Sequence, residues 1–191
     1  MRLLDLLMNP VDFFEEAKNE GARPAFVFSL KITMVISVVT PIVNYFGVES
    51  TDFSSAYQAQ IMAYRLAKNY LLPQYGVYAY LCESILIFGF ACMMLVFLAG
   101  FLHIVYKLMG GKGSILNGWK ATCYGVGPCL LGGFLPYIAL FAAFYSLLLQ
   151  FYIGPKILYE VKEWKALLFL SMIIALTFIE MFMFGTTIVS F

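Results

Sequence analysis

Four long apolar blocks constrain this chain more than any other feature: 25–47, 78–106, 119–153 and 166–191. A helix needs about 20 apolar residues to cross the ~30 Å hydrocarbon core, and three of the blocks are of that length. The third is longer and contains Pro128, Gly132, Gly133 and Pro136. It reads as two short spans, 119–134 and 136–153, joined by a tight turn. At about 1.5 Å per residue these would measure roughly 24 and 27 Å, slightly less than the core. A re-entrant hairpin is the alternative, tolerated only where protein or a water-filled cavity covers its irregular backbone. The expected fold is therefore all-α, a polytopic integral membrane bundle of five transmembrane spans with short interfacial helices. Residues 1–24 would form a cytoplasmic amphipathic segment and 25–191 the membrane domain.

Composition agrees with a lipid partner. The chain is 62% hydrophobic and only 12% charged, where roughly half and about a quarter are usual. Its net charge of +1 gives no basic excess to attract nucleic acid. The opening "MRLLDLLMNPVDFFEE" places acids before any apolar run of signal length and is expected to remain on the mature protein. Cys82, Cys92, Cys123 and Cys129 lie in apolar segments without a CxxC pair, so they read as packing residues rather than a disulfide framework or zinc site.

Cytoplasmic loops carry the excess of Lys and Arg. Alternating the spans puts Arg2, Lys18, Arg23, Lys107, Lys112, Lys120, Lys156, Lys162 and Lys165 on one side, Arg65 and Lys68 on the other, and Lys31 near the start of the first span. The expected protein is multi-pass in the cell membrane, N-terminus cytoplasmic and C-terminus outside. In "NPVDFFEEAKNEGARP", Asn9 suits an N-cap and Pro10 the first helical position, with Gly21 and Pro24 stopping the helix. Phe13, Phe14 and Ala17 would then rest on the membrane interface. In the outer loop, Phe53, Tyr57, Ile61, Tyr64 and Leu71 fall near one face and predict a surface-lying helix.

"LMGGKGSILNGWK", 108–120, places a lysine among glycines and so tests for nucleotide binding. A phosphate-binding loop needs GxxxxGK[ST] after a strand. Here Gly113 separates Lys112 from Ser114 and an apolar helix leads in, which argues against a nucleotide. The glycines suit a left-handed helix cap, with Lys107 and Lys112, and Lys31 on the first span, at the level of lipid headgroups. Within the membrane, each ionisable residue is a candidate for function. His103, Lys31 and Glu83 lie near span ends, whereas Glu180 lies deep. Thr177 and Thr187 share its face. On the first span Ser29, Thr33, Ser37, Thr40 and Asn44 recur at helical spacing, a stripe that could line a wet path or act as interhelical hydrogen-bonding glue. Gly89, Cys92, Val96, Gly100 and His103 form a stripe on the second span expected to admit a neighbouring helix. There is one His, no HExxH and no GxSxG, so neither catalytic, cofactor nor metal residues are expected and an enzyme is not the reading.

Three segments together, "NPVDFF" at 9–14, "LHIVYKLMGGKGS" at 102–114 and "CYGVGPCL" at 123–130, resemble the Yip family of Rab-interacting membrane proteins in its short prokaryotic form. The resemblance covers most of the chain and implies five spans with a cytoplasmic N-terminus. It places Asn9 and Pro10 in the family's N-terminal motif, His103 with Gly110, Gly111 and Gly113 at its helix-to-loop junction, and Tyr124, Gly125 and Pro128 in its third-span pattern. Eukaryotic members imply a role in organising or recruiting partners at internal membranes. With some 24 residues before its first span and no DLxGP-like motif, this chain is not expected to recruit a GTPase. The functional expectation is a non-enzymatic membrane-organising or partner-binding protein, self-associating or joined to another membrane protein. The alternative is a small transporter or channel for a cation, proton or small solute, using the polar faces of spans one and five.

Overall fold

The computed structural model describes residues 2–46, 67–129 and 139–188, with side-chain surroundings for 3–42, 69–129 and 141–179. Among the described residues every element is a helix. Three of them, Ala22–Ile42, Val77–Leu108 and Phe141–Leu158, are long and apolar enough to cross a membrane.

The chain opens with two short helices, α1 (Arg2–Met8) and α2 (Pro10–Asn19). Asn9 holds the N-cap position of α2 and Pro10 its first turn, although the Asn9 side chain makes no capping hydrogen bond. Pro24 does not act as a stop. It lies in the first turn of α3 (Ala22–Phe46), where a missing N–H costs nothing because that turn has no intrahelical acceptor to serve. Beyond a π-helical turn, Ala67–Leu71, and α4 (Leu72–Tyr75) comes α5 (Val77–Leu108). The expected amphipathic helix of the outer loop lies largely outside the described residues.

Of the third apolar block, residues 119–129 and 139–153 are described, and the join expected at 134–136 lies outside the described residues. α6 (Ile115–Gly125) is only 11 residues long and ends in turns that run to Pro128. The return limb is α7 (Ala139–Leu148), a π-helical turn (Leu149–Ile153) and α8 (Gly154–Leu158). α9 (Glu163–Ile188) closes the chain.

α3, α5 and α6 pack against one another, while the π-helical turn touches α6 and α9 and α8 packs on α2. The buried face of α5 is Leu95, Ala99, Leu102 and Tyr106. Of the small-residue stripe expected to pack, His103 meets Tyr159 and α6, but the rest does not supply a close approach: Val96 is 60% exposed, and a methyl group at Gly89 or Gly100 would meet nothing within 4 Å. The close approach comes instead from α6, where a Cβ on Gly118 would lie 2.9 Å from the Ala99 carbonyl oxygen of α5. Spacing alone cannot tell these cases apart, because a glycine narrows a helix whichever way it faces.

Gly118→Ala should therefore destabilise the bundle by about 1 to 3 kcal/mol, the usual cost of overpacking, since a backbone oxygen cannot rotate away. Gly100→Ala should be neutral or slightly stabilising by its helix propensity. Unfolding both variants in detergent micelles checks the contrast, and equal losses would refute this packing.

Candidate functional site

The loop that follows α5 illustrates how its glycines are used. Gly110 adopts φ +88°, and the N–H of Gly111 bonds the Tyr106 carbonyl at 2.8 Å, so the helix ends in the left-handed cap its sequence suggests. What the glycines enclose is a tyrosine. Added Cβ atoms at Gly111, Gly113 and Gly118 would lie 3.0, 2.7 and 2.8 Å from atoms of Tyr159. That side chain is fully buried, its ring edge-on to Tyr106 at 4.9 Å. The Lys112 N–H bonds the Tyr159 carbonyl at 2.8 Å, and Asn117 Nδ2 donates to the Leu158 carbonyl at 2.8 Å.

The Tyr159 hydroxyl donates to the Ser114 carbonyl at 2.9 Å and lies 2.7 Å from His103 Nδ1. With its one proton directed at Ser114, the hydroxyl must accept from His103, which places the histidine N–H on Nδ1. Burial pushes the phenol up to about 12, so it remains protonated. Three motif positions, His103, Gly111 and Gly113, thus converge on a residue at least 46 positions away in sequence, while Gly110 forms the cap.

A second polar group lies deeper. The Gly154 N–H reaches back five residues to the Leu149 carbonyl, and Pro155 has no N–H. The Gln150 carbonyl is left without a backbone donor, and the Tyr106 hydroxyl supplies one. Gln150 Nε2 donates to Ser146 Oγ at 3.0 Å, and Ser146 donates to the Gly125 carbonyl. A side chain at Gly125 would collide with Gln150. This linkage of α5, α6 and the π-helical turn satisfies polar groups that lipid cannot.

The N-terminal helices join the same assembly. Phe13, Phe14 and Ala17 do not rest on the membrane interface; they are buried. Phe13 meets Tyr124 of α6 edge-on at 4.8 Å, and Phe14 does so at 6.3 Å. Phe28 of α3 lies 5.3 Å from the same ring, whose hydroxyl donates to Glu20 Oε2 at 2.9 Å. Leu6 would contact a Cβ on Gly127 at 2.8 Å, Pro128 is fully buried, and Tyr145 donates to the Leu7 carbonyl at 3.0 Å. Buried Lys120 donates to the Lys18 carbonyl at 3.1 Å, closing the end of α2.

At the surface of this end, Lys18 pairs with Glu160 at 2.7 Å, with Lys112 4.0 Å from the other oxygen. Lys112 thus faces a carboxylate across a loop whose interior is filled by Tyr159. Lys31 and Lys107 are exposed. Glu160 adopts φ +55°, a conformation that favours glycine.

The polar stripe of α3 is buried at Ser29, Thr33 and Ser37 and half-buried at Thr40. Ser29 and Ser37 donate to their own helix, to the Phe26 and Met34 carbonyls at 3.0 and 2.8 Å. Thr177 likewise donates to the Ile173 carbonyl at 2.9 Å. Asn44 lies in α3, and Glu180 and Thr187 in α9, with side chains outside the described surroundings. Sequence reasoning did not single out Tyr159, Gln150, Ser146, Glu20 or Glu160. Only the proline after Gly154 hinted at the freed carbonyl.

Outwardly α5 exposes Leu81, Ile85, Leu86, Phe90, Met93, Phe97 and Ile104, far more apolar surface than a water-soluble chain tolerates. The molecule is an integral membrane helical bundle. Its sequence matches the Yip1 domain model over residues 4–184, and the chain belongs to that family. No curated protein and no solved structure matches it.

The Lys18 hydrogen bond, followed by the charges of Lys18 and Lys112, holds the Glu160 carboxyl below its ordinary value. Because the folded value is depressed, its stabilising contribution is present above the unfolded value of roughly 4.3 and is lost as pH falls through the folded value. The protection factors of the α2 amides should fall below about pH 4 in the wild type, with a shallower pH dependence in Glu160→Gln. Identical profiles would show that this pair does not hold α2.

Proposed function

We propose that this Yip1-domain protein is a non-enzymatic organiser or partner-binding protein of the cell membrane. The observation that carries the reading is the use made of its chemistry-bearing groups. His103 is engaged with Tyr159, Lys18 with Glu160, and Glu163 with Lys156 at 3.1 Å and Tyr152 at 2.6 Å. These groups hold helices together, while the outward faces are apolar and suited to lipid or to another membrane protein, including a second copy.

Five spans, a cytoplasmic N-terminus and an external C-terminus are part of this reading. Supporting it, α2, the loop after α5 and the turn before α9 meet at one end of the bundle through the Lys18–Glu160 pair and the Lys112–Tyr159 backbone bond. These segments carry Lys18, Lys112 and Lys162 of the nine cationic residues assigned to the cytoplasm, and Lys107 and Lys165 flank them in the adjoining turns of α5 and α9. The hairpin of α6 to α8 returns to the same end, as it would whether it spans or re-enters.

Single cysteines replacing Lys112 and Lys162 should label only from the cytoplasmic side, and one replacing Lys68 only from outside; Lys68 and Lys112 labelling together would overturn the topology. Cross-linking in native membranes should capture a second copy or another membrane protein. Purified protein in liposomes should pass neither cations nor protons between pH 5 and 8. A flux abolished by Glu180→Gln would replace this reading with a transporter using Glu180, Thr177, Thr187 and the α3 stripe.

A further inference from the structure

Residues of α5 and α9 beside the loop end line an open apolar groove of about 550 Å³. Phe101 and Val105 line it on one side and Leu168, Phe169 and Met172 on the other, with Lys165 the one charged lining residue. Lys165 Nζ donates to the Met109 carbonyl at 2.7 Å, which ties the two helices at the mouth and leaves two ammonium protons for another acceptor. Trp164 is exposed beside it, the residue type that marks the headgroup level of a bilayer.

We propose that this groove is a binding site for one anionic phospholipid, an acyl chain lying between α5 and α9 and the phosphate at Lys165 and Lys162. The dimensions fit. Lys165, Leu168, Phe169 and Met172 follow one face of α9 and descend about 10 Å, within the roughly 15 Å of one leaflet's hydrocarbon. The charge fits too. Lys162 immediately precedes α9, its carbonyl accepting the Lys165 and Ala166 N–H groups at 3.0 and 3.2 Å, which keeps it within one turn of Lys165, and Lys107 lies in the last turn of α5. Among the described residues none of these three lysines makes an ion pair. Glu163, the nearest acid in sequence, is drawn away to Lys156 and Tyr152. The mouth is therefore cationic, and the walls are dry.

The site rests on the membrane placement of the loop end proposed above, yet it is tested without reference to sidedness. The chain has two tryptophans, so Trp119→Phe leaves Trp164 as the reporter. Its quenching by brominated phosphatidylglycerol in a phosphatidylcholine bilayer gives a relative binding constant. Phosphatidylglycerol should be preferred about fivefold or more, and Lys165→Gln should reduce the preference about fivefold, the effect of one lysine near an anionic surface. Lys162→Gln, which leaves the Lys165–Met109 bond intact, should also reduce it. A relative constant of one, or a preference unchanged in both variants, would overturn the proposal. So would disulfide formation between two copies at Leu168→Cys without lipid preference, which assigns the groove to a second copy. Wrong-sided labelling of Lys162 with the preference retained would instead reject only the topology.

Discussion

The structure depends on the seating of Tyr159. A bulky aromatic side chain can occupy the junction of α5, α6 and the turn before α9 only because Gly111, Gly113 and Gly118 lack side chains there. Truncating a buried aromatic of this size costs about 3 to 5 kcal/mol, and the loss would fall where three elements meet. The hydroxyl adds direction to the packing, accepting from His103 and donating to Ser114. Ring and hydroxyl together hold the start of the hairpin against its end.

The bilayer imposes a second requirement, that no polar backbone group be left to lipid. Pro155 breaks this condition at Gln150, and the Tyr106 hydroxyl restores it across the helix interface. The serine hydroxyls of α3 meet the same need for side-chain groups locally, by donating to a carbonyl of the preceding turn. These two solutions differ in consequence. A local bond leaves neighbouring helices free to adjust, whereas the Tyr106–Gln150–Ser146–Gly125 linkage fixes α5, α6 and the return limb relative to one another.

The N-terminal helices are held by a different balance. Their aromatic residues bury against Tyr124, a contact insensitive to salt or pH. Their end is held by an exposed ion pair between Lys18 and Glu160, the kind of contact worth little on average. Glu160 keeps a left-handed backbone conformation that glycine would adopt with less strain, and its carboxylate is the reason a charged residue is useful there. Packing therefore anchors α1 and α2, and the pair orients the last turn.

The division between what the sequence determined and what folding decided follows from the range of the forces. Hydropathy runs, prolines and glycines act within one helix length, so the membrane class, the start of α2 at Pro10 and the left-handed cap at Gly110 were legible in the order of residues. Three assignments were not: which face of α5 packs, what Phe13 and Phe14 cover, and what the glycines after Gly110 enclose. Each depends on a partner far away in the chain, Gly118 for Ala99, Tyr124 for the phenylalanines and Tyr159 for the glycine loop. A small residue or an aromatic has the same local signature whether it faces lipid or protein. Only the tertiary structure supplies the neighbour, because close packing and hydrogen bonding act over a few ångströms of space rather than along the chain.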